Sequence, residues 1–119
     1  MREIKFRAWN VNTKRMADWE EVENEYGFKY LLGNNITIPM QYTGLKDKNG
    51  VEIYEGDVLV IQDKNSVNGD VENEISHVRW QKDIAGFIIS NYSGEGFGSY
   101  KTEDLEVIGN IHQNPELLT

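Results

Sequence analysis

The 119-residue sequence contains no cysteine, only two prolines and no long hydrophobic run. Without cysteine there are no disulfides, no thiolate nucleophiles and no cysteine-ligated zinc or iron–sulfur sites. The longest uninterrupted apolar runs, at 58–61 and 87–89, fall far short of the roughly 20 residues that a membrane-spanning helix needs. The first residues lack the apolar segment of a signal peptide, so we expect a cytoplasmic protein without membrane association.

Basic residues are also scarce, because 12 lysines and arginines face 20 acids and the net charge is −8. Non-specific binding to nucleic acid depends on a basic surface that displaces counterions from phosphates, so this balance disfavours it. Five of the basic residues lie within the first 15 positions. We therefore expect a positively charged first hairpin on an acidic body.

The chain does contain enough apolar material for a core. Hydrophobic residues make up 39% of the sequence and aromatic residues 11%, and a domain of this size buries roughly two-thirds of its unfolded surface. Hydrophobic residues mostly alternate with period 2, which is typical of half-buried strands. The sequence predicts one mainly β domain without internal repeats.

The N-terminal half is predicted to form β-hairpins. The first strand has an inward and an outward set of side chains, namely Ile4, Phe6, Ala8 and Lys5, Arg7, Trp9. Residues 15–22 fit a returning strand and one face of a helix equally well, and 20–25 are predicted to be a loop or a frayed end. Further strands are predicted at 28–32 and 36–42, with Pro39 placing the second at an edge or a bulge.

Turn signals and short strands organise the rest of the chain. Asn49-Gly50 predicts a tight hairpin with a type I′ turn, in which both central residues have positive φ. A polar stretch at 63–74 is predicted to be the longest loop, and 114–116 a short helical turn. Several short strands predict a small closed or partly closed barrel; they lie at 58–61, 75–81, 86–92 and 105–111.

Three separated segments of the sequence form distinct motifs. They are Arg2-Glu3-Ile4-Lys5-Phe6-Arg7-Ala8-Trp9, Met40-Gln41-Tyr42-Thr43-Gly44-Leu45-Lys46-Asp47-Lys48-Asn49-Gly50 with Glu52-Ile53-Tyr54-Glu55-Gly56-Asp57, and Val107-Ile108-Gly109-Asn110-Ile111 with Asn114-Pro115-Glu116-Leu117-Leu118. In this order they resemble the YopX family of phage and prophage proteins. The resemblance implies a phage setting in a bacterial host and an SH3-like barrel in the C-terminal half. It also implies one YopX-like domain over 1–119, with hairpins at 1–54 packed on a barrel at 55–112 and a tail at 113–119.

No residue pattern predicts catalysis, and the family, whose function is unassigned, supplies no catalytic residues. His77 and His112 share no local spacing that indicates a metal site, and the many acids are interpreted as solvated surface. We therefore expect a protein that is not an enzyme and that holds no metal or cofactor.

Seven residues are candidates for recognition instead. Trp9 lies on the outward face between cations, where an exposed aromatic ring can anchor a partner or stack on a base. The alternative is that a second layer covers this face and that Arg7 pairs with Asp18 or Glu20. The turn-rich segment 43–57 is either purely structural or a recognition rim. The full candidate set is Lys5, Arg7, Trp9, Lys46, Asp47, Lys48 and Tyr54.

Two functions from different classes fit this sequence. The first, which we favour, is a non-enzymatic interaction module that forms a homo-oligomer or binds a protein partner. The second is a small-barrel nucleic-acid-binding module, which the net charge of −8 disfavours. It would use the residues of the basic hairpin: Arg2, Lys5, Arg7, Trp9, Lys14 and Arg15.

Overall fold

The computed structural model of the protein describes residues 4–26, 36–63, 72–82, 86–89 and 102–118. These residues form two antiparallel sheets of four strands each, and one of the sheets curls into a half-barrel. The strands are β1 Phe6–Asn10, β2 Arg15–Ala17, β3 Thr37–Lys46, β4 Glu52–Tyr54, β5 Asp57–Asp63, β6 Glu72–Gln81, β7 Gly86–Ile89 and β8 Leu105–Asn110. The expectation of a mainly β fold is confirmed.

Short helical turns complete these elements. The first is α1 at Trp19–Glu21, which continues as a π-helical turn at Val22–Tyr26. Within the described residues, 3₁₀ turns follow at Thr102–Asp104 and at Pro115–Leu118. The second of these confirms the helical turn predicted near residues 114–116.

The first sheet has the strand order β2-β1-β3-β4, so that β1 lies between two partners. Both interpretations of residues 15–22 are partly right, because the segment begins as β2 and ends in α1. Of the two alternatives for residues 20–25, the loop is wrong, because these residues are helical. Asp18 caps α1 by accepting the Glu21 N–H at 2.9 Å, and the helical turn buries Val22 against Ala8.

Pro39 lies in β3, between β1 and β4 in the sheet order. Its register partner is Ala8 of β1, and within the described residues the pairing with β4 begins three residues later at Tyr42. The prediction that Pro39 places its strand at the edge of the sheet is therefore wrong. The register shift between β3 and β4 lies between Tyr42 and Lys46, beyond Pro39.

The second sheet has the order β7-β6-β5-β8 and carries the larger core. Three fully buried side chains, Leu59, Val78 and Leu105, come from three of its strands. Ile53 of β4 packs into the same cluster, so the β3–β4 hairpin of the first sheet also contributes to the core of the second. This hairpin positions the residues that link the two halves of the molecule.

The hairpin at Asn49-Gly50 is present, but the predicted type I′ turn is wrong. Gly50 has φ of +80°, while Lys14 is the only residue other than glycine with positive φ in the described part of the chain. The Gly50 N–H donates to Asp47 O at 3.0 Å, and Asp47 N–H donates to Val51 O at 2.8 Å. This pattern is a type I turn followed by a glycine bulge, in which only the glycine needs a left-handed conformation.

The strands predicted at 58–61, 75–81 and 105–111 correspond to β5, β6 and β8, and the one at 86–92 begins as β7. Two predictions lie outside the described residues. They are the strand at 28–32 and most of the loop at 63–74.

Candidate functional site

Arg7 points from β1 towards the turn between β4 and β5, where it pairs with Asp57. Its Nη2 donates to Asp57 Oδ1 at 2.6 Å, and the aspartate is only 1% exposed. The Tyr54 N–H donates to Asp57 Oδ2 at 2.7 Å, and the guanidinium lies 4.8 Å from the centre of the Tyr54 ring. The predicted pairing of Arg7 with Asp18 or Glu20 is wrong, because β1 presents Arg7 to the second sheet and not to α1.

Burial dominates the ionisation of this cluster. It raises the pKa of Asp57, although Arg7 and the Tyr54 N–H both favour the charged carboxylate. Burial, together with the nearby Glu52 carboxylate, raises the pKa of Tyr54 to about 12. The Tyr54 hydroxyl is therefore protonated at neutral pH, and its ring serves as a platform for Arg7.

Trp9 is covered, being only 8% exposed. Its ring stacks on His112, with centroids 5.6 Å apart and planes inclined by 14°. Burial lowers the pKa of His112, and the positive charge of Arg7 lowers it further. The segment after β8 therefore provides a second layer over the outward face of β1, with an uncharged imidazole against the indole at neutral pH.

Lys5 belongs to the same internal arrangement. It forms an ion pair with Glu52, and its Nζ lies 4.8 Å from the centre of the Tyr42 ring. The Tyr42 and Tyr54 rings contact each other with centroids 5.4 Å apart. Lys5 and Arg7 thus each lie over a tyrosine of the β3–β4 hairpin, where cation–π contacts stabilise the packing of this face.

Asp47 organises the turn between β3 and β4 and joins it to β8. Its buried carboxylate accepts the N–H groups of Asn49, Val51 and Val107 at 2.8 to 2.9 Å. Burial acts to raise the pKa of Asp47, but these three donors outweigh it and the pKa lies below its usual value. We call this arrangement the Asp47 clasp.

The clasp covers an otherwise open strand edge. In the described residues β8 pairs with β5 alone, and its outer edge is met by the turn, where Lys48 N–H donates to Leu105 O at 3.0 Å. Lys48 also pairs with Glu106 through side chains that are 36% and 39% exposed, with Nζ and Oε2 3.1 Å apart. These contacts occupy the edge at Leu105 and Val107, where they hinder the pairing of a strand from another molecule.

The candidate residues therefore do not form one surface. Trp9, Asp47 and Tyr54 are buried, and Lys5 and Arg7 are held in ion pairs within the chain. Lys46 and Lys48 are the two that lie exposed. Most of the polar signal in the sequence thus marks internal contacts that join the two sheets.

The structure brings out an apolar patch that the sequence interpretation missed. Val11, Ile36 and Ile38 are 40%, 38% and 39% exposed; we call them the β1–β3 patch. Ile38 is the register partner of Trp9, and the Val11 N–H donates to Ile36 O at 2.9 Å. Residues paired directly or two apart along a strand share one face of the sheet, so the three side chains adjoin each other.

The sequence does contain a signal for this patch, namely the period-2 alternation of apolar residues in β1 and β3. Ile36 and Ile38 alternate with Thr37, and Trp9 and Val11 alternate with Asn10. The row across the sheet at this level, Met16, Trp9 and Ile38, carries no charge. Sequence alone does not reveal that the layer above Trp9 leaves the neighbouring apolar side chains exposed.

The described residues give little support for a metal site, a membrane-spanning helix or a ligand cavity. They contain no group of three or more His, Asp or Glu side chains arranged to hold a metal ion, and none of their helices is long and apolar enough to cross a membrane. A cleft of about 90 Å³ beside the first hairpin is bordered by the ion pair of Arg15 and Glu21, whose atoms are 2.7 Å apart. That space has room for a few water molecules.

The protein is thus a small two-sheet β protein in which most charged candidate residues make contacts within the chain. Residues 23–119 match the YopX protein family, and the chain belongs to that family.

One similar solved structure is the crystal structure of protein EF1440 from Enterococcus faecalis. It is 27% identical in sequence, with a TM-score of 0.67, and the alignment covers 100% of both chains. No curated protein matches the chain.

Proposed function

We propose that this protein is a non-enzymatic phage or prophage accessory protein that works by self-association in the cytoplasm of its bacterial host. The observation that carries this proposal is the β1–β3 patch, three adjoining β-branched side chains that are each about 40% exposed on a rigid sheet. We also infer that the sheet of β5 to β8 is the SH3-like barrel of the family, which its antiparallel order β7-β6-β5-β8 supports.

The uncharged β1–β3 patch offers a second copy of the chain a contact surface, although the net charge opposes association elsewhere. Each copy carries a net charge of −8, so two copies repel wherever their acidic surfaces approach. The β1–β3 patch and the adjoining row of Met16, Trp9 and Ile38 are uncharged. Two copies that meet at this patch bury apolar surface without bringing acids into contact.

The size of the patch sets the expected strength of association. A stable interface buries about 800 Å² on each partner, and three partly exposed side chains provide only the centre of such an area. We therefore expect a weak dimer that forms reversibly and becomes stronger when salt screens the repulsion between the two acidic bodies.

A matched pair of substitutions tests this function. Ile38→Asp places a charge in the β1–β3 patch, whereas Ile75→Asp makes the same change on β6, where Ile75 is 44% exposed on the other sheet. We expect light scattering after gel filtration to show loss of the dimer for Ile38→Asp and retention of the dimer for Ile75→Asp. Circular dichroism of both variants checks that each remains folded.

Two results would overturn the proposal. One is a wild-type protein that stays monomeric at every concentration, which would shift the function to a partner of another kind. The other is equal loss of the dimer in both variants, which would show that added charge and not the location of the patch controls association.

A further inference from the structure

Asn49 lies in the β3–β4 turn with the features of a spontaneous modification site. Asn49 and Gly50 are both exposed, and apart from the two adjacent residues no atom lies within 4 Å of the position where a Cβ of Gly50 would be. Within the described residues the Asn49 carboxamide makes no hydrogen bond, while its own backbone N–H is held by Asp47 at 2.8 Å. Residues beyond the two neighbours of Gly50 therefore do not crowd the turn at the point where the Asn49 side chain must approach the Gly50 nitrogen.

We propose that Asn49 is a deamidation site whose product loosens the Asp47 clasp. The backbone nitrogen of Gly50, losing its proton to hydroxide, attacks Asn49 Cγ; the new N–Cγ bond closes a succinimide ring and the Cγ–Nδ2 bond breaks. Ammonia leaves with the proton that balances the charge. Water then opens the ring at either carbonyl, which gives aspartate or an isoaspartate whose main chain runs through the former side chain.

The turn itself controls how fast this step proceeds. The Gly50 N–H donates to Asp47 O at 3.0 Å, and this bond must break before the nitrogen can attack. Glycine is the residue that permits the required rotation, because it crosses backbone regions closed to other residues. We therefore expect native-state deamidation that is slower than in an unfolded chain but still proceeds at Asn49.

The isoaspartate product alters the Asp47 clasp because its main chain is longer than that of asparagine. An additional methylene enters the main chain between two N–H groups, those of Asn49 and Val51, that share one carboxylate oxygen of Asp47. The same carboxylate holds the Val107 N–H of β8 at 2.9 Å. Lengthening the turn therefore loosens the cover over the β8 edge.

The experiment incubates the folded protein at mildly alkaline pH and localises deamidation by tandem mass spectrometry. Cleavage at glutamate separates Asn49 from Asn68, which also precedes a glycine and serves as an internal reference. We expect deamidation and isoaspartate at Asn49, and none at position 49 in the Asn49→Gln variant, whose longer side chain disfavours ring closure. An unmodified Asn49 after Asn68 has converted would overturn the proposal.

Hydrogen exchange tests the effect on the clasp. We expect the Val107 amide to exchange about tenfold faster in the isoaspartate form, which corresponds to the loss of one hydrogen bond to a charged group. Asn49→Asp carries the new charge on a backbone of normal length and should keep Val107 protected. Equal protection in the isoaspartate form and the unmodified protein would refute the link between the turn and β8.

Discussion

Two buried aspartates, Asp47 and Asp57, lie on either side of β4. Asp47 accepts three main-chain N–H groups, and Asp57 accepts that of Tyr54. Asp57 also neutralises Arg7, whose guanidinium is mostly covered by Tyr54 and the second sheet. A buried ion pair of this kind contributes little over an apolar pair of the same shape, but removing one member leaves an uncompensated charge. The two acids therefore determine how the sheets are joined.

Asp57→Asn should destabilise the protein by about 3 kcal/mol, because the Arg7 charge then remains buried without its counter-charge. Urea unfolding measures the change. Glu106→Gln is the control, since it breaks an ion pair with Lys48 in which both side chains are more than one-third exposed, and this change should cost less than about 1 kcal/mol. Similar losses in the two variants would contradict the role assigned to Asp57.

Trp9→Ala should destabilise the protein by about 3 kcal/mol, because it removes a buried indole that stacks on His112. Trp80→Ala is the matched control, since Trp80 is 45% exposed and its loss should cost much less. Thermal unfolding compares both variants with the wild type. A Trp9→Ala protein of unchanged stability would show that the covering layer contributes nothing.

At the scale of elements, the segment after β8 is fixed by asparagine side chains. Asn110 Oδ1 accepts the N–H groups of His112 and Gln113 at 3.1 and 2.9 Å. Asn114 Oδ1 accepts the Asn110 N–H at 3.3 Å. These contacts turn the chain back from the sheet, which places His112 over Trp9.

Gly109→Ala should destabilise this turn by about 2 kcal/mol, as overpacked sites do. A Cβ at position 109 would lie 2.5 Å from Asn114 Oδ1 and 2.8 Å from its Cγ, so the Asn114 side chain must move and lose its bond to Asn110. A double-mutant cycle with Asn114→Ala checks the mechanism by urea unfolding. If Gly109→Ala costs as much in the Asn114→Ala background, the steric explanation fails.

Local patterns predicted the strands well where apolar residues alternate with polar ones, as in β1, or form an uninterrupted run, as in β5. The segment 20–25 was misinterpreted because its acids concealed a cap at Asp18 and the apolar pair Trp19 and Val22, whose helical placement depends on packing against β1. The type I′ turn was wrong for a similar reason, since Asp47 stabilises a different turn through its carboxylate.

The side chains of the candidate site were harder to predict than the strands that carry them. Alternation places Arg7 and Trp9 on the outward face of β1, and this assignment was consistent with both an exposed and a covered face. Their partners, Asp57 and His112, lie 50 and 103 residues away in the sequence, and no local pattern specifies contacts of that separation. The same long-range packing decides that Ile38 stays exposed while Trp9 does not.

For the whole molecule, an acidic surface and a neutral apolar patch act together. A net charge of −8 keeps copies apart at low ionic strength. The patch provides the place where two copies can approach without contact between acids. On this account, association is driven by apolar burial and opposed by the charge of the rest of the surface.

The most direct measurement is the solution mass of the wild-type protein by light scattering, at about 0.1 M and about 1 M salt, over a range of protein concentrations. We predict a concentration-dependent dimer whose share increases at the higher salt. A monomer under both conditions, or an oligomer that dissociates as salt increases, would contradict self-association through the β1–β3 patch.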